Sequence, residues 1–232
     1  MMYETLTAGL PGLGLELNEQ TARQLCDFGA AVVKQNEVMN LTAITEPDHV
    51  AKLHLLDSLS LLKTADLRGK RLIDVGCGAG FPGVPVKIAC PEVELTLLDS
   101  LGKRMTWLRE GALPALQVEA ECITARAEEF AQLRRESYDF ATSRAVARLN
   151  ILLELTASFV KVGGAVLAMK GSAAREELAE AKNAINQLGL KLETVADFPV
   201  DGTAHSVIVL RKVKPTPSQY PRRYAKIKQS PL

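Results

Sequence analysis

Residues 72–83 read Leu72-Ile73-Asp74-Val75-Gly76-Cys77-Gly78-Ala79-Gly80-Phe81-Pro82-Gly83. An apolar run ends in an acid, and glycines then fall at every second position. This is a strand that breaks into a tight turn and opens a helix. In an open α/β sheet such turns lie at the carboxyl ends of the strands, where ligands bind. Glycines there remove Cβ atoms, so a ligand can approach the backbone closely. The next apolar run ends Leu97-Leu98-Asp99, which sets a carboxylate 23 residues after Gly76. A carboxylate at that spot can accept hydrogen bonds from both hydroxyls of a ribose. Together the two features read as a nucleoside-cofactor site.

The spacing narrows the cofactor. A dinucleotide fingerprint G-x-G-x-x-G would place its third glycine at position 81, which is Phe81. No Gly-Lys-Ser/Thr follows, so a phosphate-binding P-loop is excluded. Asp74 would repel a pyrophosphate. S-adenosylmethionine carries an ammonium, a sulfonium and a ribose but no phosphate. Asp74, Gly76, Gly78 and Asp99 are therefore candidate contacts to this methyl donor. Cys77 has no histidine or lysine close in sequence to activate it, and reads as a small loop residue.

Outward from the loop, short apolar runs alternate with helical segments. Strands are predicted at Arg71–Val75, Glu94–Leu98, Val118–Thr124, Tyr138–Thr142 and Gly164–Met169. Helical stretches separate them, and one more follows near Ala173–Leu188. Five strands alternating with helices predict a parallel sheet covered on both faces. Lys191–Val195 and His205–Leu210, with a short loop between them, predict an edge hairpin and so a seven-stranded, mostly parallel sheet. Residues 1–65 read as a helical extension packed on the core. One helix starts at Asn18-Glu19, and another at Thr45-Glu46-Pro47-Asp48 with Thr45 as N-cap. In the second, Val50, Leu53, Leu56, Leu59 and Leu62 form the apolar stripe, and Lys52 and Asp57 fall on other faces. Residues 66–213 form the core, and 214–232 a basic C-terminal tail.

The 232 residues are 47% hydrophobic and 24% charged, a globular balance. No apolar stretch approaches a membrane span, and Met1-Met2-Tyr3-Glu4 has no basic leader region, which together predict a cytoplasmic protein. Four scattered cysteines and three histidines argue against a metal site. The net charge of +1 conceals an asymmetry. Residues 202–232 hold seven Lys or Arg and no acid, leaving 21 basic and 27 acidic residues before them. A basic end on an acidic body suits an anionic partner or simple solvation.

One ordered series of segments points further. It runs Asn40-Leu41-Thr42-Ala43-Ile44, His54-Leu55-Leu56-Asp57-Ser58-Leu59, Asp74–Gly83, and Leu98-Asp99-Ser100 with Lys103-Arg104. Ala127-Glu128-Glu129-Phe130, Ser143-Arg144-Ala145-Val146-Ala147 and Met169-Lys170-Gly171 follow. The series resembles the RsmG (GidB) family of bacterial small-subunit ribosomal RNA methyltransferases, from about residue 36 to the C-terminus. The resemblance implies a class I methyltransferase (Rossmann-like) fold and methylation of guanine N7 at one position of 16S rRNA. It also implies donor contacts at Gly76, Phe81, Ala127, Glu128 and Arg144, with Ala127-Glu128 bordering the adenine. The sequence departs from the family at Cys77, where Ser or Thr is usual, and in the tail Tyr224–Lys228.

Neutral guanine N7 bears a lone pair and no proton. It can attack the sulfonium methyl in line without a general base, and no acid–base pair is evident in the motifs. Arg144 is then a positioning residue. Candidate RNA contacts are Asn40, His54, Lys103, Arg104, Arg148, Arg211, Lys212, Arg222 and Arg223, the last four being the leading phosphate candidates. His54 fits a packing role equally well, and Asn40 a turn cap. With aromatics at only 5%, recognition should rest on RNA shape and the assembled subunit rather than base stacking. A monomer suffices. The competing readings are a small-molecule methyltransferase, an NAD-dependent dehydrogenase, which the glycine spacing opposes, and a non-catalytic RNA-binding assembly protein.

Overall fold

In the computed structural model, which describes residues 1–200 and 202–232, seven strands form one sheet. They are β1 (Arg71–Val75), β2 (Glu94–Asp99), β3 (Glu121–Thr124), β4 (Tyr138–Arg144), β5 (Val160–Lys170), β6 (Leu190–Val200) and β7 (Thr203–Lys212). Their order is β3-β2-β1-β4-β5-β7-β6. β1 to β5 pair in parallel, and β7 runs antiparallel to both β5 and β6. The expected mostly parallel sheet with an edge hairpin is what forms. The chain turns from one half of the sheet to the other between β1 and β4, and this switch point locates the site.

Strand ends differ from the sequence reading. β3 starts at Glu121 rather than Val118, because the Val118 N–H still bonds the carbonyl of Leu113 in the preceding helix. The hairpin strands are longer than their apolar runs, since the β6–β7 ladder continues to Val200 and Thr203. The stretch predicted as one helix near 173–188 is two, Ala174–Glu180 and Lys182–Gln187.

Alternation along β1 sorts the core. Leu72 faces one cluster, and Ile73 and Val75 the other. Helix Glu19–Asn36 and the N-terminal turns supply Leu6, Leu25, Phe28 and Val32 to the first cluster, where they meet Leu95 and Leu97 of β2. Asn18 caps that helix, its Oδ1 accepting from the Thr21 N–H at 2.8 Å. Residues 1–65 thus share the core of the sheet's first face. The next helical stretch, residues 47–63, starts one position later than expected. Glu46 is its N-cap and Pro47 its first residue, and Thr45 plays no capping part. Its turns are wide over Val50–Leu56.

The second cluster joins Leu98, Ala141, Val166 and Ile208 to helix Leu149–Thr156. The basic tail is seated against this face. Ile227 of helix Tyr224–Gln229 is fully buried and Tyr220 nearly so. Among the described residues no helix is long and apolar enough to cross a membrane, and no group of three or more metal-ligating side chains gathers.

Candidate active site

A cavity of about 750 Å3 opens at the carboxyl ends of β1, β2 and β4, a size typical of ligand sites, ~300–1,000 Å3. Gly76, Gly78, Phe81, Asp99, Ala127, Glu128 and Arg144 all line it. Gly76 turns the chain out of β1 at φ +73°, and a Cβ there would stand 2.5 Å from Val146 Cγ2 across the cavity wall. Asp99 is nearly buried, and each of its oxygens accepts one backbone N–H, from Gly78 at 2.9 Å and Leu101 at 2.8 Å. Each oxygen keeps a further lone pair for a ligand hydroxyl. Bare glycine backbone beside an oriented carboxylate fits a nucleoside donor that lacks a pyrophosphate.

Asp74 corrects the sequence reading. It does not line the cavity. It is fully buried, and its Oδ2 accepts the Gly83 N–H at 2.8 Å at the start of helix Gly83–Ala89. A Cβ on Gly83 would lie 2.9 Å from that oxygen, which explains the glycine. Burial pushes the Asp74 carboxyl up to about 7, and its Oδ1 has no hydrogen-bond partner among the described residues. Asp74 therefore shapes the loop from behind. Cys77 is buried too, its Sγ 3.7 Å from the Met105 sulfur, and burial raises its thiol well above the usual range. That environment disfavours the nucleophilic thiolate.

Arg144 is neither a free catalytic arginine nor a surface ion pair. Its Nη1 donates to the Leu53 carbonyl and to Asp57 Oδ2, both at 2.8 Å, and its Nη2 lies 3.1 Å from His54 Nδ1. The wide helical turn makes this possible. The Asp57 N–H bonds the Lys52 and His54 carbonyls and passes over Leu53, whose carbonyl turns to Arg144. Asp57, expected on a different face from the apolar stripe, is buried, and its other oxygen meets His205 Nδ1 at 2.8 Å. Despite its burial, His205 and Arg144 hold Asp57 below the usual carboxylate range. Asp57 in turn raises His205.

His54 is buried, stacked on Phe81 at 4.6 Å between ring centroids, and 2.8 Å from Thr42 Oγ1 through Nε2. Arg144 can only donate, so Nδ1 is the acceptor and Nε2 carries the proton. Burial and the Arg144 charge hold His54 down at about 4. The unfolded chain takes up this proton near its ordinary value of about 6.5. The folded state therefore loses on the order of 3 kcal/mol as pH falls from 6.5 to 4. Asp74 acts in the opposite sense, its stability contribution falling as pH rises from about 4 to 7. Melting temperatures across pH should therefore show His54→Gln gaining on the wild type as pH drops from 6.5 to 4. A constant gap would contradict a His54 held neutral by burial and Arg144.

The expected RNA contacts separate into groups. Lys212 is fully buried, and its ammonium donates to the Ala157 and Val160 carbonyls at 2.7 and 3.2 Å. No phosphate can reach it. It shares strand parity with the buried Ile208 and Leu210. Arg211 is paired with Glu193, Arg148 with Glu176 and Glu180, and Arg222 with Glu154. His54 packs inside, as above. Arg104 lines the cavity, its Nη2 donating to the Asn40 carbonyl at 3.1 Å, which ties the exposed Asn40 loop over the site. Lys103 and Arg223 are exposed, with no ion pair or side-chain hydrogen bond among the described residues. Sequence reasoning missed Asp57, His205, Arg126 and Tyr224 at this site. Asp57 and His205 are 148 positions apart, so no local signal joins them.

This sheet, with its glycine turn after β1 and a carboxylate ending β2, defines a class I S-adenosylmethionine-dependent methyltransferase. Solved structures agree on the fold. A SAM-dependent methyltransferase from Aquifex aeolicus superposes with TM-score 0.55 at 18% identity, covering 71% of this chain and 93% of that one. TYW2 of M. jannaschii in complex with AdoMet gives 0.53 at 14% identity, over 64% and 71%. The sequence profile described as rRNA small subunit methyltransferase G matches residues 21–203. The chain belongs to that family. A ribosomal RNA small subunit methyltransferase G of Alkaliphilus oremlandii is 42% identical over 100% of this chain and 99% of its own. Its counterpart from Caldanaerobacter subterraneus subsp. tengcongensis is 42% identical over 99% and 98%. The chain is thus a small-subunit rRNA methyltransferase, with S-adenosylmethionine as its methyl donor.

Proposed function

We propose that the acceptor atom is guanine N7 of 16S rRNA. The reading is carried by the chain's place among the rRNA small subunit methyltransferases G, and it asks for no base from a cavity whose His54 and Asp57 are committed to structural ties. His54 has both ring nitrogens engaged, and the carboxylate of Asp57 is held by Arg144 and His205. His205 lines the cavity with its Nδ1 on Asp57, and an N7 acceptor makes no demand on it as a base. When bound, S-adenosylmethionine supplies an electrophilic methyl that an unprotonated N7 takes directly, in line. Asp99 would hold the ribose, the Gly76–Gly78 backbone the methionine end, and Ala127 and Glu128 the adenine edge. Arg144, fixed by its three bonds, keeps Phe81 and the residue 47–63 helix at the cavity wall. The protein's contribution is then orientation and exclusion of water.

RNA would meet the rim where Lys103 and Arg223 are unpaired and where Asn40 and Arg104 overhang the cavity. The chain would act in the cytoplasm, where small subunits are assembled. The chain would act as a monomer. A methyl-labelled donor offered to 30S subunits, naked 16S rRNA and free guanosine tests the acceptor class. Salt-sensitive transfer to RNA is expected, and preferential transfer to guanosine would favour a small-molecule enzyme instead. In binding to 30S subunits, Lys103→Ala and Arg223→Ala should each lower the salt slope by about one contact, ~0.7–0.9. Lys212→Met should leave it unchanged. The reverse pattern would overturn the assignment of the rim.

A further inference from the structure

We propose that Tyr224, carried to the cavity by the C-terminal segment, is a donor-positioning residue whose ring forms the wall against the adenosine of the methyl donor. The proposal rests on reading this cavity as the donor site.

Tyr224 lines the cavity together with Ala125, Arg126, Ala127 and Glu128, the residues that follow β3. Its ring is half-buried. The Arg126 guanidinium stands over it, 4.6 Å from the centroid, while Arg126 Nε donates to Glu128 Oε1 at 3.3 Å. The Tyr224 hydroxyl makes no hydrogen bond among the described residues. What the side chain offers the cavity is therefore an aromatic ring paired with a cation that lines the same wall.

The segment holds that ring in place from both sides. Two residues before it, Arg222 grips the fully buried Glu154 through Nε at 2.7 Å, Nη2 at 2.6 Å and its own backbone N–H at 2.9 Å. Three residues after it, Ile227 is fully buried. Further back, Arg135 donates to the carbonyls of Thr216, Pro217 and Tyr220. A segment pinned this closely is a built part of the molecule. A solvated, RNA-seeking tail would not bury an ion pair in front of the one aromatic ring it presents to the cavity.

A purine is a flat π-system, and an aromatic ring paired with a guanidinium is a complementary surface. Base–aromatic stacking is worth ~1–3 kcal/mol on alanine replacement, so Tyr224→Ala should weaken donor binding about tenfold.

Calorimetric titration of the full chain with S-adenosylmethionine and with 5′-methylthioadenosine, which lacks the amino-acid end, tests this. Tyr224→Ala is expected to weaken both ligands by the same factor. Its donor KM should rise, with kcat at saturating donor and the KM for 30S subunits near wild type. Tyr224→Phe should bind as the wild type does. Tyr224→Leu, which keeps apolar bulk on the segment, should repeat the alanine loss at an unchanged melting temperature. Unchanged donor affinity in Tyr224→Ala would overturn the proposal. So would a Phe variant as weak as Ala, or a loss seen for S-adenosylmethionine and not for methylthioadenosine. A wild-type chain that binds neither ligand would overturn the donor-site reading, and this proposal with it.

Discussion

Arg144→Ala is expected to lower the melting temperature by roughly 10 °C and methyl transfer to 30S subunits by about a hundredfold. The arginine joins the end of β4 to the residue 47–63 helix through three bonds, to a carbonyl, a carboxylate and an imidazole. Without it, Asp57, with only 4% of its side chain exposed, keeps the His205 imidazole as its remaining side-chain partner. Removing one member of a buried pair costs ~3–5 kcal/mol because the other charge is left desolvated. A chain of this size loses about 2–4 °C per kcal/mol. Activity falls with stability because Leu53, His54 and Phe81 line the cavity and move when the tie is lost. Lysine cannot substitute, since one ammonium does not span the three acceptors. Thermal melting and a donor-saturated rate measurement check both parts. An Arg144→Ala chain that melts like the wild type would contradict the reading of this arginine as a buried tie.

Arg222→Ala is expected to cost a similar ~3–5 kcal/mol, while Arg223→Ala, one residue on, costs almost nothing. The neighbours differ in what they face. Arg222 satisfies Glu154, which is fully buried in helix Leu149–Thr156, whereas Arg223 is exposed and unpaired among the described residues. Adding Glu154→Gln to Arg222→Ala removes the stranded charge and should recover part of the loss, a non-additivity typical of contacting pairs. Equal melting temperatures for the two single variants would sink this division. An effect of Arg222→Ala on ribosome binding larger than that on stability would restore Arg222 as a phosphate contact.

Much of the architecture was legible in the sequence because it is periodic and local. The β1 run, the glycine turn and the acid that ends β2 lie within 28 residues, 72–99, and each carries its own signal. The hairpin was legible in outline, but its length was not, since the added pairs up to Val200–Thr203 come from the ladder rather than from apolar character. The site's supports were hidden because they join distant positions. A helix-period stripe gave no hint that Asp57 faces inward, as the wide turns at Val50–Leu56 shift the faces. Two signals were present and unread. Glu154 stands alone in the apolar run Leu149-Asn150-Ile151-Leu152-Leu153-Glu154-Leu155, and a solitary acid there demands a buried partner. Lys212 continues the inward parity of Ile208 and Leu210. Counting basic residues along the tail concealed that two of the four leading phosphate candidates face inward or grip a buried acid.

The most direct test is the identity of the methylated nucleoside. Small subunits from cells lacking the homologous enzyme would be incubated with the protein and methyl-labelled S-adenosylmethionine, and the 16S rRNA then digested to nucleosides. The account predicts that the label co-migrates with 7-methylguanosine and maps to one guanine. Label in a 2′-O-methyl or exocyclic-amine product would contradict it, because those acceptors must lose a proton, a task the account assigns to no residue.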